Sequence, residues 1–289
     1  MVERPLSRRA FLVAAGGLVT LAACGSSSKP AKSSRRPASR GSSLEAGVLS
    51  ADLYADPGPQ RVAFALLDAK GGYASGPPAQ LQLVTPAGKE RPPVPTTLHT
   101  DGLEPGRGVY AADVVLDAAG NWPAFVIVDG TKHSLAFSVA ETATVVVPGA
   151  AAPRAASPTT AVTLGVDPIC TRDPACSLHA VSLDAVIGKG RPVAVLFATP
   201  ARCTSRYCGP TLDNLLSLVP KYQNAVTFVH VEIYQNSSTS DLISTVQAWN
   251  LPSEPWLFSV DGAGKVQGRL DGGFGKDEMD ALLAKLAGS

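Results

Sequence analysis

The reading turns on residues 192–219, P-V-A-V-L-F-A-T-P-A-R-C-T-S-R-Y-C-G-P-T-L-D-N-L-L-S-L-V. Val193 to Phe197 is an unbroken apolar run rich in β-branched residues, the pattern of a strand covered on both faces. From Thr211 onward Leu212, Leu215, Leu216 and Val219 fall at helical spacing, and Pro210 suits a first helical turn, where no N–H is needed. The stretch therefore predicts a buried strand, a polar turn holding Cys203 and Cys208, and a helix with Cys208 at or just before its start. Free N–H groups and the positive end of the helix dipole at that position favour a thiolate. Arg202 and Arg206 add positive charge nearby.

Working outward, the segments after this helix predict a strand at 226–233, a helix near 241–249, a strand at 256–260, a hairpin at Asp261-Gly262-Ala263-Gly264 and a last helix near 276–286. Upstream, Ser182 stands where it can cap a short helix over 183–187. The strand ending in F-A, the cysteine turn with C-G-P, the helix behind it, and L-P-S-E-P-W-L-F-S-V-D-G-A-G-K-V-Q-G-R-L at 251–270 together resemble the thioredoxin superfamily over residues 164–289. The resemblance implies an α/β fold of order β-α-β-α-β-β-α and thiol–disulfide exchange at Cys208 and Cys203. It also implies a groove bordered by Gly209, Pro210 and a cis Pro255, with no cofactor. The pattern departs from the family's C-x-x-C, because Thr211 follows Cys208-Gly209-Pro210 and the second cysteine precedes it as C-x4-C. The family's buried acid in the central strand is replaced by Leu196. By its dipole position Cys208 is the expected attacking sulfur and Cys203 the partner that resolves.

Residues 45–147 read differently. Short runs such as R-V-A-F-A-L-L-D, L-Q-L-V-T-P, V-Y-A-A-D-V-V-L-D and W-P-A-F-V-I-V-D are separated by Gly, Pro and Asp turns, which predicts an immunoglobulin-like β-sandwich. Tyr110 and Trp122 are its expected core anchors, and His99 and His133 its ordinary surface or edge residues. The fold class expected is thus an all-β immunoglobulin-like sandwich followed by an α/β thioredoxin-like domain. Pro- and Ala-rich residues 148–163 join the two as a semi-rigid linker.

The N-terminal 23 residues read as a signal peptide. S-R-R-A-F-L-V at 7–13 resembles a twin-arginine export signal, and L-A-A-C at 21–24 resembles a bacterial lipobox, which implies lipidation of Cys24. Residues 24–44 form a Ser-, Pro- and basic-residue-rich disordered tether. These features place the protein outside the cytoplasm, lipid-anchored to a bacterial cell membrane, with exported thiol or disulfide proteins as partners. A net charge of +1 offers no basis for nucleic-acid binding.

Five cysteines less the lipidated one leave four, and in an oxidising compartment the expectation is two local disulfides, Cys170–Cys176 and Cys203–Cys208. The first pins the irregular segment D-P-I-C-T-R-D-P-A-C-S-L-H at 167–179. Spacings of C-x5-C and C-x4-C are not those of tight zinc knuckles, so no metal is expected. His230, in V-T-F-V-H-V-E, is expected to be a buried, satisfied histidine. Other readings stay open: a scaffold or binding protein in which Cys203–Cys208 is a permanent staple, a thiol peroxidase built on Pro200 and Thr204, or a copper-chaperone-like variant using two cysteines and His230.

Overall fold

The computed structural model describes residues 44–203 and 206–288. The segments expected to be a signal peptide, a lipidated Cys24 and nearly all of a tether lie, with Thr204, outside the described residues. The N-terminal half carries eight strands: β1 (Glu45–Val48), β2 (Asp56–Leu67), β3 (Ala79–Leu83), β4 (Val94–Pro95), β5 (Thr97–His99), β6 (Val109–Leu116), β7 (Gly120–Val128) and β8 (Thr131–Val139). They form two four-stranded sheets of order β1-β2-β6-β5 and β4-β3-β7-β8. Alternating residues of both sheets, among them Val62, Phe64, Leu81, Tyr110, Trp122 and Val126, meet in one core, as in a sandwich. Tyr110 stacks on Phe64 and its hydroxyl donates to Pro77 O, while Trp122 Nε1 donates to Ala118 O. Both rings are buried with their polar tips satisfied.

The C-terminal half runs α1 (Leu183–Val186), β9 (Val193–Phe197), α2 (Cys208–Tyr222), β10 (Thr227–Val231), α3 (Ser244–Ala248), β11 (Trp256–Val260), β12 (Val266–Asp271) and α4 (Lys276–Ala287). The sheet order is β10-β9-β11-β12, with β10 parallel to β9 and β11 antiparallel to both β9 and β12. This is the strand order and helix placement of a thioredoxin-like domain. Ala194 and Leu196 enter one core with α2 and α4, and Val193, Val195 and Phe197 enter the other with Val246, Trp249 and Phe258. Two-sided burial explains why the run has no polar alternation.

Residues 148–163 depart from the expected spacer. Gly149 N–H donates to Val266 O, Val266 N–H to Ala150 O and Ala152 N–H to Gly264 O, so the segment is stitched along the β11–β12 hairpin. Its backbone groups find partners in the sheet rather than in water, which turns a linker into a fixed strap. Among the described residues no helix is long and apolar enough to cross a membrane.

The sandwich is docked on the thioredoxin-like half. Arg61 Nε pairs with Glu278 Oε1 at 2.7 Å and its Nη2 donates to Gly273 O at 2.7 Å. Arg269 Nη1 pairs with Asp52 Oδ2 at 2.9 Å. His99, expected to be an ordinary surface or edge residue, lies 2.6 Å from Asp277 across the same junction. Because the Arg61 and Glu278 side chains are only 13% and 10% exposed, removing one leaves the other poorly solvated. Arg61→Ala is expected to cost about 3 kcal/mol of unfolding free energy in urea titration. A loss below about 0.5 kcal/mol, the surface-pair range, would show that the pair does not hold the halves together.

Candidate functional site

The cysteine turn follows from the strand that precedes it. Strand β9 ends at Phe197, and Thr199 starts a compact turn in which Cys203 N–H and Arg202 N–H both donate to Thr199 O. Helix α2 then begins at Cys208 as its first residue, where the sequence places it. Cys203 and Cys208 are joined as a disulfide with Cα atoms 5.9 Å apart. The 15-residue length of α2 puts a full helix dipole behind Cys208. Gly209 has open space where a Cβ would stand, and Pro210 is half-buried beside it. Pro255 is buried at the start of β11, and the Glu254–Pro255 bond is cis. Arg202 is not a free charge over the sulfurs: its guanidinium donates to Asn236 O and Thr239 O and lies over the Tyr234 ring.

Both cysteines are buried, Cys208 at 0% exposure and Cys203 at 9%. Tyr207, next to Cys208, is buried against Ala63 and Val109 of the sandwich and edge-on to Tyr73, so the docked domain covers this side of the turn.

An acid stands at the disulfide although Leu196 occupies the family position. Glu254 Oε2 lies 3.3 Å from Cys208 Sγ and accepts the Thr199 N–H at 2.6 Å. Burial pushes its carboxyl up to about 7, against the pull of the Thr199 N–H, with Glu232 raising it further and Arg202 opposing. Glu232, on the far side of Thr199, is likewise pushed up to about 7 by burial, while Thr171 N–H and Oγ1 bond its carboxylate. Glu254 also lines a cleft of about 420 Å³ between the halves, with Val48, Leu49 and Ala51 on one wall and Arg202, Tyr234 and Pro252 on the other. The sequence signal for this acid was present, since Glu254 directly precedes the proline expected to be cis.

The second cysteine pair differs from expectation. Cys170 and Cys176 are free and buried, not bonded to each other. Their sulfurs are instead turned to two histidines. Cys176 Sγ lies 3.3 Å from His179 Nε2 and 3.4 Å from His230 Nδ1, and Cys170 Sγ lies 3.8 Å from His230 Nδ1. Cys176 N–H donates to Cys170 Sγ at 3.4 Å. Hydrogen bonding from Cys176 holds the Cys170 thiol far below the ordinary thiol range. His230 is buried as expected, yet it faces this cluster rather than plain core. Sequence reasoning missed His179 altogether, because it sits in an irregular loop whose path no periodicity reveals.

No family profile matches the sequence, and no curated protein does. Among solved structures, a thiol:disulfide interchange protein DsbE from Chlorobium tepidum is similar at 16% identity over 49% of this chain and 99% of its own, with a TM-score of 0.36. A thioredoxin-family thiol:disulfide interchange protein from Chlorobium tepidum TLS is similar at 16% identity over 49% of this chain and 97% of its own, with a TM-score of 0.34. The filamin domain of Lin-41 is similar at 15% identity over 34% of this chain and 93% of its own, with a TM-score of 0.24. Each overlap spans half of this chain or less, and the strand order given above defines the architecture.

The Glu254 carboxyl carries a consequence for stability. Its ordinary value is 4.5 and its folded value about 7, so between those limits the folded chain holds a proton that the unfolded chain releases. Its contribution is therefore fully present below about pH 4.5 and declines as pH rises toward about 7. Glu254→Gln is expected to remove this decline, gaining on the order of 2 kcal/mol relative to wild type between about pH 5 and about pH 8. Urea unfolding at the two pH values measures it, and an unchanged pH slope would mean the carboxyl titrates as it does in the unfolded chain.

Proposed function

We propose that the protein is a membrane-tethered, extracytoplasmic thioredoxin-like thiol–disulfide oxidoreductase whose Cys203–Cys208 pair exchanges electrons with exported proteins. The observation that carries this reading is a disulfide at the start of a long helix with a protonatable carboxyl 3.3 Å from its buried sulfur. In the reduced protein the Cys203 thiolate attacks a substrate disulfide, forming a mixed disulfide and releasing one substrate thiolate. Cys208 then gives its proton to Glu254 and attacks Cys203 Sγ. The second substrate thiolate leaves and the Cys203–Cys208 disulfide re-forms, so two electrons pass from the protein dithiol to the substrate. The reverse sequence oxidises a substrate dithiol. Gly209, Pro210 and Pro255 border the path, and the open space at Gly209 admits a substrate backbone.

These roles reverse the ones the sequence suggests, for the physical reason that Cys203 is the more reachable sulfur while Cys208 lies beneath Tyr207 and beside Glu254. Cys208→Ser is expected to accumulate mixed disulfides with envelope proteins through Cys203, and Cys203→Ser is expected to accumulate none. Non-reducing electrophoresis with mass spectrometry reads the result. Adducts only in Cys203→Ser would restore Cys208 as the attacking sulfur, and adducts in neither variant would sink the oxidoreductase reading.

A second reading, a cell-envelope binding or scaffold protein with a structural Cys203–Cys208 staple, is favoured by the complete burial of Cys208 in the core of the C-terminal half. The same trapping experiment separates the two. The copper-chaperone-like variant loses its histidine: His230 is engaged with Cys170, Cys176 and His179, and among the described residues no histidine joins Cys203 and Cys208. The thiol-peroxidase variant rests on Thr204, which lies outside the described residues.

Tethering rests on the L-A-A-C stretch at 21–24. Two or more acyl chains on Cys24 hold a protein stably at a bilayer, where one chain does not. Cys24→Ala is expected to leave the protein unprocessed or released from the membrane fraction. Unchanged mass and fractionation would count against the anchor.

A further inference from the structure

The loop of residues 166–182 covers the open edge of the thioredoxin-like sheet with almost no regular structure of its own. Strand β10 is the outermost strand, and His230 N–H donates to Leu178 O of the loop at 2.9 Å, while Thr171 caps the Glu232 carboxylate. Between loop and strand four side chains converge: Cys170, Cys176 and His179 from the loop and His230 from β10. Their ligand atoms all lie within 4.8 Å of one another, and all four residues are buried.

The spacing inside this group is that of a coordination shell. A tetrahedron with metal–sulfur bonds of about 2.3 Å and metal–nitrogen bonds of about 2.0 Å has edges of about 3.3 to 3.8 Å. Three of the four sulfur–nitrogen separations are 3.3, 3.4 and 3.8 Å, His179 Nε2 lies 3.1 Å from His230 Nδ1, and every pair is within 4.8 Å. The outer contacts agree. His230 Nε2–H donates to Ala198 O at 3.0 Å, which leaves Nδ1 of the neutral ring bare and aimed at the sulfurs. The Cys176 N–H to Cys170 Sγ bond, at 3.4 Å, stabilises a thiolate there.

We propose that Cys170, Cys176, His179 and His230 form a closed tetrahedral site for a zinc ion that clamps the 166–182 loop to the edge of β10. Two thiolates, two imidazoles and four-fold geometry are the donor set that selects zinc. The charges close: a dication against two thiolates leaves a neutral group, which a buried site tolerates. Binding displaces to water any proton the two sulfurs still carry and involves no electron transfer. With no fifth position open to solvent the ion is structural. The proposal does not depend on the oxidoreductase reading, since the Cys203–Cys208 pair contributes no ligand.

The test uses the full-length protein purified without added chelator. Inductively coupled plasma mass spectrometry is expected to find one zinc per chain, and X-ray absorption a shell of two sulfurs and two nitrogens. Cobalt substitution should give an intense tetrahedral spectrum with a thiolate charge-transfer band. Cys176→Ser and His230→Gln should lose the metal. The double variant Cys203→Ser, Cys208→Ser should retain it in full, which guards against reading a folding failure as a lost ligand. Four results would overturn the proposal: no bound zinc in the wild-type protein, a Cys170–Cys176 disulfide in peptide mapping, copper in place of zinc, or zinc lost from the Cys203/Cys208 double variant.

Discussion

Burial of strand β9 on both faces is the constraint from which the rest of the C-terminal half follows. Val193, Val195 and Phe197 point into one core and Ala194 and Leu196 into the other, so the strand cannot shift by one residue without exchanging its two sets of neighbours. Removing each large side chain from water contributes roughly 2 kcal/mol. Hydrogen bonding to β10 on one edge and β11 on the other locks the register. The chain therefore leaves the sheet at a fixed place and height, and the turn that begins at Thr199 delivers Cys203 and Cys208 beside the start of β11. Glu254 is there because β11 is there.

The same turn is also the point at which the polar interior of the domain is joined. Thr199 donates its N–H to Glu254 and accepts the Ile233 N–H at its hydroxyl, and it bonds Glu232 as well. Glu232 in turn holds Thr171, the neighbour of Cys170. A run of hydrogen bonds thus connects Glu254, whose Oε2 lies 3.3 Å from Cys208 Sγ, to the loop that carries the Cys170, Cys176 and His179 cluster. Glu232 is buried and Glu254 half-buried, and removal from water pushes both carboxyls up to about 7.

Docking of the sandwich changes what the thioredoxin-like half can do. Its residues Ala63, Val109 and Tyr73 close over Tyr207, and Leu49 packs against the Gly272–Gly273 bend. Gly272 has a φ of +73° and a Cβ there would collide with Leu49 O, which makes glycine a requirement. The cleft between the halves, with Glu254 on its wall, is lined by residues of both.

The amino-acid sequence by itself determined the elements and their order. Two-sided apolar runs, helical spacing after Cys208, and turn residues between short strands are local patterns, and they carried the short strands of the N-terminal half, the alternating strands and helices of the C-terminal half and a helix start at or next to Cys208, while the cis Pro255 was implied only by the resemblance. Tyr110 and Trp122 were legible as core anchors for the same reason. What tertiary structure decided were the matters that depend on residues far apart in the chain. Cys170 and Cys176 are close in sequence, which suggested a disulfide, but folding puts His179 and His230 within bonding distance of their sulfurs, a separation of 51 residues between the two rings. The missing acid of β9 is supplied from Glu254, 46 residues beyond Cys208, because a carboxylate needs only to reach the sulfur in space. The proline- and alanine-rich strap looked like a spacer because composition cannot show that the β11–β12 hairpin offers it hydrogen bonds. The packing of Tyr207 against the sandwich was likewise outside the sequence pattern, since a helix dipole is a local property and contact with a second domain is not.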